Sequence, residues 1–327
     1  MNVALIVLSW NGAAWLPTCF RAIAAQTRRP DQVMLVDNGS TDDSVAVVQQ
    51  LFPDVVVVQN VRNLGFGAGM NVGLKQLMHT TPPDVVVLLN QDTEVSPTWL
   101  EALLAPFDDP QVAMVGAKAW FADGVTLQHA GGEVSYPRAT TRHYGYGERD
   151  DGQYDERRDT DYVTGAAVAL RIAPFALIGW FDEGYNPAYF EEVDVAFRLR
   201  AAGYRVVYEP TATLRHAESS STTEFEAGRM AHRHRIRFVL KHYATAAVWH
   251  DFLPAEHAHA QASAGSFEAR VLKVSYADAL LQLPDTLQAR AETGAAPFTP
   301  SEQRRLAHAL AELRRMIIET EVRLRQL

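Results

Sequence analysis

The side chains in this chain that could do chemistry are carboxylates grouped in short polar clusters behind apolar runs. In VVVLLNQDTEV, Val85 to Val95, five apolar residues lead straight into Asn90, Gln91 and Asp92. Hard cations such as Mg²⁺ and Mn²⁺ take oxygen ligands, commonly one or two carboxylates plus substrate phosphates. A lone Asp92 can therefore hold a divalent cation if a diphosphate completes the shell, and the Asn90 amide can hydrogen-bond a ribose or orient a water. Asp37, in LVDNGSTDDS, can accept from a base or a ribose, or serve only in a helix-capping turn. YFEEVD crowds Glu191, Glu192 and Asp194 at a helix start. Acids there are ordinary partners of the helix dipole, but neighbouring carboxylates also raise one another's pKa, which suits a general base. His216, in LRHAESSS, is structural unless it lies near Asp92, where it becomes a second metal or phosphate contact.

A glycine-rich stretch, VRNLGFGAGMNVG, places Gly65, Gly67, Gly69 and Gly73 around a helix entry. Glycines let backbone approach a ligand, and helix N-termini favour anions. The spacing is neither the dinucleotide fingerprint nor a Walker loop.

Elements must hold these groups in place. Val3–Ser9, Gln32–Val36, Val55–Gln59 and Val85–Leu89 read as buried strands, with helical segments between them. Ser40 or Thr41 reads as an N-cap, and Ser96-Pro97 as the start of a helix. Such alternation predicts an α/β fold with a mostly parallel, doubly wound sheet, whose ligands lie beyond the strands' carboxyl ends. LQHAGGEVSY reads as a hairpin region. GERDDGQYDERRDTD reads as a solvated loop, or as one that orders over substrate. YVTGAAVALRI is strand-like, AYFEEVDVAFRLRAAGY helical and RVVYEPTATLRHAESSS strand-like. Strand signals vanish after about Tyr243.

In that order the motifs are recognisable. VLSWNG, VDNGSTDDS, NLGFGAGMNVG, LLNQDTEV, TGAAVALRIAPFALIGWFDE, YFEEVDVAFRLRAAGY and RHAESSS resemble the family 2 inverting glycosyltransferases, especially a bacterial rhamnosyltransferase-like branch. The resemblance covers about residues 1–245 and implies a GT-A fold, a Rossmann-like sheet flanked by helices. It implies that Ser9, Trp10, Asn11 and Asp37 hold the nucleobase and that Asn63, Gly65 and Asn71 line the nucleotide pocket. Asn90, Gln91 and Asp92 fall on the family's Asp-x-Asp position, with Asp92 and His216 toward Mg²⁺ or Mn²⁺. Thr164, Gly165, Trp180 and Asp182 border the sugar and acceptor. Glu191 and Glu192 fall on the Glu-Asp pair whose second member is the base. Asn90 replaces the first aspartate and Glu192 the usual aspartate base, so Glu191 stays open as the base. The implied donor is dTDP-rhamnose or a UDP-hexose, and the implied acceptor a surface glycan or lipid-linked saccharide.

Two other classes share such a sheet. A nucleotidyltransferase would want a Gly-rich, Arg-containing loop after the first strand, where this chain has SWNGAAWLPT. A catalytically silent sugar-binding paralogue would not need Asp92, Glu192 and His216. The chain of 327 residues is 47% hydrophobic and carries a net charge of −9, which argues against bulk nucleic-acid binding. Its single cysteine, Cys19, excludes an internal disulfide and fits a cytoplasmic setting. The apolar N-terminus lacks a basic leader and reads as a first strand.

Residues 246–327 read as a helical extension. It ends in a Thr299/Glu302 capping box with Pro300 first in the helix, then a seam of Leu306, Leu310, Leu313, Ile317, Thr320, Leu324 and Leu327. A homodimer through this seam is expected, with packing back on the catalytic domain or contact with a membrane surface as alternatives. Arg229, Arg233, Arg237 and Lys241 form a stripe at four-residue spacing, either a solvated face or a contact for a diphosphate acceptor or the inner face of the plasma membrane.

Overall fold

A computed structural model describes residues 1–79, 82–218 and 222–324. Two compact units divide the chain: Met1–Glu133 with Thr141–Ser219, and Val134–Thr140 with Ser220–Leu327. The boundary thus falls near 219–220 rather than 245–246, because the long helix that follows it packs with the C-terminal helices.

The first unit alternates β1 (Val3–Ser9), α1 (Leu16–Ala24), β2 (Gln32–Asp37), α2 (Ser44–Leu51), β3 (Val56–Gln59), α3 (Phe66–Met78) and β4 (Val85–Asn90). It continues with β5 (Thr93–Val95), α4 (Trp99–Leu104), β6 (Val112–Trp120), β7 (Leu127–His129) and the base of a hairpin of β8 (Gly132–Ser135) and β9 (Thr140–His143), whose tip, Val134–Thr140, is assigned to the second unit. β10 (Arg158–Asp159), β11 (Ala167–Arg171), α5 (Ile172–Leu177), α6 (Glu191–Ala201) and β12 (Arg205–His216) complete it. The sheet runs β10-β12-β6-β11-β4-β1-β2-β3, with β5 paired to β12 and β7 to β6.

β1, β2, β3 and β4 pair in parallel, as the alternation predicts. The whole sheet is mixed, however, because β11 runs antiparallel between β4 and β6. β11 follows a long excursion from β6 rather than a crossover helix, so nothing in its local sequence fixes its direction. β4 is the central strand, buried on both faces through Leu89. That is why its sequence is apolar without alternation. Gly69 and Gly73 let α3 lie close on the sheet: a Cβ on either would come 2.8 Å from Leu8 or Val36. Those two glycines make room for packing, not for a ligand.

Two local expectations change. Ser40 and Thr41 do not cap α2; the helix starts at Ser44, whose N–H donates to Asp42 Oδ1 at 3.1 Å. The acidic segment after Gly147 is largely exposed but anchored. Lys118, 3% exposed, pairs with Asp150 at 3.1 Å and also with Asp155, while Arg158 stacks on Tyr144, Tyr154 and Tyr208.

The second unit is helical: α7 (Glu224–His242), a turn α8 (Thr245–Ala247), α9 (Leu253–Ala262), α10 (Phe267–Leu281), α11 (Leu283–Glu292) and α12 (Pro300–Leu324). α10 packs on α7 and α12, and α11 on α7. The basic stripe of α7 is an internal face. Arg229 pairs with Asp278 and Arg237 with Asp285, both at 2.6 Å, and Arg237 and Lys241 are buried. It is therefore neither a solvated face nor free for a membrane or an acceptor. Thr299 and Glu302 form the expected capping box. Leu306, Leu310, Leu313 and Ile317 are buried within the single chain, where α12 meets α9 and α10. The seam is spent inside this unit, which removes the basis for a dimer through those residues. The Leu324 side chain and Leu327 lie outside the described residues, as do Ser219, Ser220 and Ser221 of RHAESSS. Among the described residues no helix is long and apolar enough to cross a membrane.

Candidate active site

Register brings the polar clusters to one edge of the sheet. Ser9 lies opposite Asp37 on β1 and β2, and Leu8 opposite Asn90 on β1 and β4, so three strand ends stand level. β11 begins beside β4, and Asn90 N–H donates to Ala166 O at 2.9 Å, which sets Thr164–Ala166 against the Asn90 end. On the other side Thr93 of β5 pairs with His216 of β12, and Ala217 N–H donates to Asp92 O at 3.0 Å.

Much of the polarity at this edge braces the loops. Gln91 Oε1 accepts from Ser9 Oγ at 2.7 Å and from Trp10 N at 3.0 Å, and its Nε2 donates to Trp10 O at 3.2 Å. The middle residue of the Asn-Gln-Asp run thus pins the β1 loop instead of lying open to a donor. A Cβ on Gly12 would come 2.1 Å from Gln91 Oε1, so any larger residue there has to displace the Gln91 amide. Asn11, at φ +50, accepts from Thr41 N at 2.8 Å and donates its own N–H to Ser40 Oγ at 2.8 Å. Ala13 N donates to Asp42 at 3.0 Å and Gly12 N to Ser44 at 2.8 Å. Ser40, Asp42 and Ser44 therefore brace the β1 loop as well as the start of α2. The Trp10 side chain is 42% exposed.

Asp37 is buried. Its Oδ2 accepts from Ser40 N at 3.2 Å, but its buried Oδ1 has no hydrogen-bond partner among the described residues. An unpaired buried carboxylate oxygen is costly unless a ligand satisfies it. Beside it, buried Asn38 donates to Asn63 Oδ1 and Gly65 O and accepts from Leu64 N and Asn60 Nδ2. Asn38 is what holds Asn63 and Gly65 at the end of β2. Asn71 departs from its expected place in a nucleotide pocket. It is buried, and its amide is engaged with Phe181 O and N and with Glu183 Oε1 at 3.0–3.2 Å. It ties α3 to the turn that carries Trp180 and Asp182.

Asp92 and His216 meet: Nε2 lies 3.2 Å from Oδ1, both side chains mostly buried. His216 Nδ1 lies 2.8 Å from Gln128 Oε1. An imidazole nitrogen and a carboxylate oxygen aimed at one point fit Mg²⁺ or Mn²⁺, the imidazole suiting Mn²⁺ better. Among the described residues no cluster of three or more His, Cys, Asp or Glu forms a metal cage, so the remaining ligands of such an ion would come from a bound diphosphate and water. Cys19 lies near Asn90 O and Thr93 Oγ1, and burial pushes its thiol up to about 12. It stays a neutral thiol.

The carboxylate cluster separates into two roles. Asp194, fully buried, pairs with Arg198 at 2.7 Å and accepts from Tyr185 OH at 3.2 Å. Arg198 in turn donates to Ile178 O and Trp180 O, fixing the turn before α6. Glu191 and Glu192 remain as a coupled pair. Burial, then the neighbouring Glu192, raises Glu191 well above the usual range. Burial raises Glu192 to about 7, partly offset by hydrogen bonds that include one from Glu191. The buried acid is thus the donor and Glu192 the group that ionises near neutrality. A Cβ on Gly165 would lie 3.9 Å from the Glu192 Cβ, so the Thr164–Gly165 loop borders this pair. Thr164 N donates to His129 Nε2 at 3.1 Å, and His129 Nδ1 faces His143 Nδ1 at 3.0 Å. Burial lowers both imidazoles, which keeps the pair neutral. Asp182 caps its own turn through Gly184 N at 2.8 Å, and Trp180 packs edge-on against Phe175.

Asn38, Asp42, Gln128 and His129 were not legible as site residues in the sequence. The available signal for the last two was a polar pair inside LQHAGG, a stretch whose three β7 residues are all buried.

The description Glycosyl transferase family 2 matches residues 4–172 of the chain. The N-acetylglucosaminyl-diphospho-decaprenol L-rhamnosyltransferase of Mycobacterium tuberculosis is 27% identical over 253 residues, 72% of this chain and 82% of that protein. The O-antigen chain rhamnosyltransferase RfbN of Salmonella typhimurium is 24% identical over 228 residues, 68% of this chain and 69% of that one. Among solved structures, mannosyltransferase PcManGT from Pyrobaculum calidifontis, in complex with GDP-Man and Mn²⁺, aligns over 98% of this chain and 86% of its own with a TM-score of 0.52 at 18% identity. With the strand ends, the Asp92–His216 pair and the Glu191–Glu192 pair arranged as described, the chain belongs to glycosyl transferase family 2 and is a GT-A enzyme of its rhamnosyltransferase-like branch.

Proposed function

We propose that the enzyme transfers a sugar, with inversion, from a nucleoside diphosphate donor to a hydroxyl of a cell-surface glycan or lipid-linked saccharide. dTDP-rhamnose is the first candidate donor, because the two relatives are named as rhamnosyltransferases. The observation that carries the reading is Glu192, a carboxylate that burial brings to about 7 beside the Thr164–Gly165 loop. A base titrating near the working pH suits removal of a hydroxyl proton.

In the proposed reaction Glu192 takes the proton of the acceptor hydroxyl as that oxygen attacks the anomeric carbon. The bond to the diphosphate oxygen breaks on the opposite face, and the configuration inverts. Protonated Glu191 keeps the second carboxyl of the pair neutral, so the cluster holds one negative charge rather than two. The unpaired Asp37 Oδ1 accepts from a nucleobase N–H. Trp10 offers an exposed ring to the base, and Asn63 and Gly65 border it, held by Asn38. Asp92 and His216 would hold Mg²⁺ or Mn²⁺, and a divalent ion there neutralises charge gathering on the leaving diphosphate. A cytoplasmic setting fits the single unpaired Cys19.

The test is nucleoside diphosphate release from dTDP-rhamnose, UDP-glucose, UDP-N-acetylglucosamine and GDP-mannose, with Mn²⁺ and a diphospho-polyprenol-linked N-acetylglucosamine acceptor. Release from dTDP-rhamnose that Glu192→Gln abolishes is the expected result. Release only from a UDP-hexose corrects the donor, and no acceptor-dependent release from any donor overturns the proposal.

A further inference from the structure

We propose that Gln128 is a positioning residue. Held by Glu218, it keeps a proton on His216 Nδ1, so that Nε2 is the nitrogen turned to Asp92 and left for a metal ion. The inference rests on the proposed metal reading for its purpose, but not for its geometry.

The argument follows the donors and acceptors in turn. Gln128 is buried in β7 and must find partners for its amide. Its Nε2 donates to Glu218 Oε2 at 3.1 Å. A carboxylate can only accept, so this bond fixes which end of the amide faces His216. The end that does is Oε1, 2.8 Å from Nδ1, and an amide oxygen cannot donate. Nδ1 must therefore carry hydrogen. When the ring carries a single proton, Nε2 therefore turns its lone pair toward Asp92 Oδ1, 3.2 Å away. Two electron-rich atoms at that distance repel unless a proton or a metal cation joins them. Glu218 and Gln128 thus work against the tautomer that Asp92 alone would select. The registers Ala119 with His129 and Thr93 with His216 hold β7 and β12 so that the three side chains meet. Fixing a ligand's tautomer from behind is how outer partners tune metal-binding histidines, and losing such a partner commonly costs about 10- to 100-fold in metal affinity.

Two measurements on the full chain test this. The first is nitrogen-15 NMR of histidine-labelled, metal-free protein at a pH where the imidazole is neutral. His216 should carry its proton on Nδ1 in the wild type. In Gln128→Leu it should move to Nε2, toward Asp92. The exchanged pair Gln128→Glu with Glu218→Gln keeps both an acceptor and its anchor, and should restore Nδ1–H. The second is Mn²⁺ titration followed by electron paramagnetic resonance with inorganic pyrophosphate present. Gln128→Leu should weaken binding about 10- to 100-fold and the exchanged pair by no more than a few-fold. A bare Nδ1 in the wild type overturns the proposal, as does wild-type Mn²⁺ affinity in Gln128→Leu. Nδ1–H in a wild type that binds no Mn²⁺ supports the proton placement and overturns the metal reading.

Discussion

At the scale of single residues, Glu191 and Glu192 differ in burial more than in chemistry. The deeper one is raised well above the usual carboxylate range and the other to about 7. On the proposed mechanism Glu192 acts ionised, so kcat/KM should fall on the acid side of about pH 7, approaching tenfold per pH unit. Glu192→Gln should bind donor normally and lose about 10²- to 10⁴-fold in transfer. An active Glu192→Gln beside an inactive Glu191→Gln would reverse the two roles. The same raised pKa has a stability consequence. A carboxyl raised in the folded state contributes most below its unfolded value near 4.5, and loses that contribution as pH rises through about 7. Glu192→Gln cannot charge, so its melting temperature should exceed the wild type's by more at pH 8.5 than at pH 5, as scanning calorimetry would read. Asp92→Ala should leave the fold intact and remove most metal-dependent turnover. Turnover indifferent to EDTA in the wild type would end the metal role of Asp92.

Loops at the ends of elements are where the site is assembled, and here the reading of the sequence stopped short. Strand ends were legible because β1, β2 and β4 are buried on both faces and break abruptly into polar residues. Asp37 and Asp92 stand out by that contrast, whereas Glu192, on α6, was singled out by its carboxylate neighbours and by the family resemblance. The cross-braces were not legible, since Gln91, Asn38 and Asp42 act on residues up to 82 positions away and carry no local period. The direction of β11 and the inward face of α7 were missed for related reasons. A parallel and an antiparallel buried strand share one composition, and a buried arginine stripe looks in sequence like a solvated one until its carboxylates on α10 and α11 are placed. The Gly12–Gln91 contact yields a test at this scale. Gly12→Ala puts a methyl where Gln91 Oε1 lies, so the amide must release Trp10. A loss of about 1–3 kcal/mol is expected from the overpacking, with a rise in donor KM larger than the fall in kcat. Equal donor KM in Gly12→Ala and wild type would show that the clamp does not shape the donor site. In α12, Leu310→Ala should cost about 2–5 kcal/mol by urea unfolding, as for a core leucine rather than an exposed seam.

Across the whole molecule, the family match ends at Ile172 while the chain continues through a helical unit built on buried ion pairs. Its centre is Glu256, fully buried, paired with Arg235 at 2.8 Å and Arg138 at 3.0 Å, with Tyr276 OH donating at 2.7 Å. Despite burial, the arginines hold its carboxyl at about 2. A depressed carboxyl contributes stability above its unfolded value near 4.5 and loses it as pH falls toward 2, so this unit should be among the first structures lost in acid. Glu256→Gln leaves two guanidinium groups facing a neutral amide and should cost about 3–5 kcal/mol. A chain ended at Tyr243 would lack Glu256, Asp278 and Asp285 together. Its α7 should melt, so circular dichroism should show a helix loss greater than the deleted residues account for.

The hairpin tip has a consequence for synthesis. Val134–Thr140 belongs to the helical unit, and Arg138 meets Glu256, 118 positions further along the sequence. A ribosome makes that arginine long before it makes the glutamate that receives it. The tip must therefore wait, while the sheet around it forms, for a partner still in the exit tunnel. Nascent chains stalled before Glu256 should be cut by protease within 134–140, and chains that carry the helical unit through α12 should resist at the same bonds.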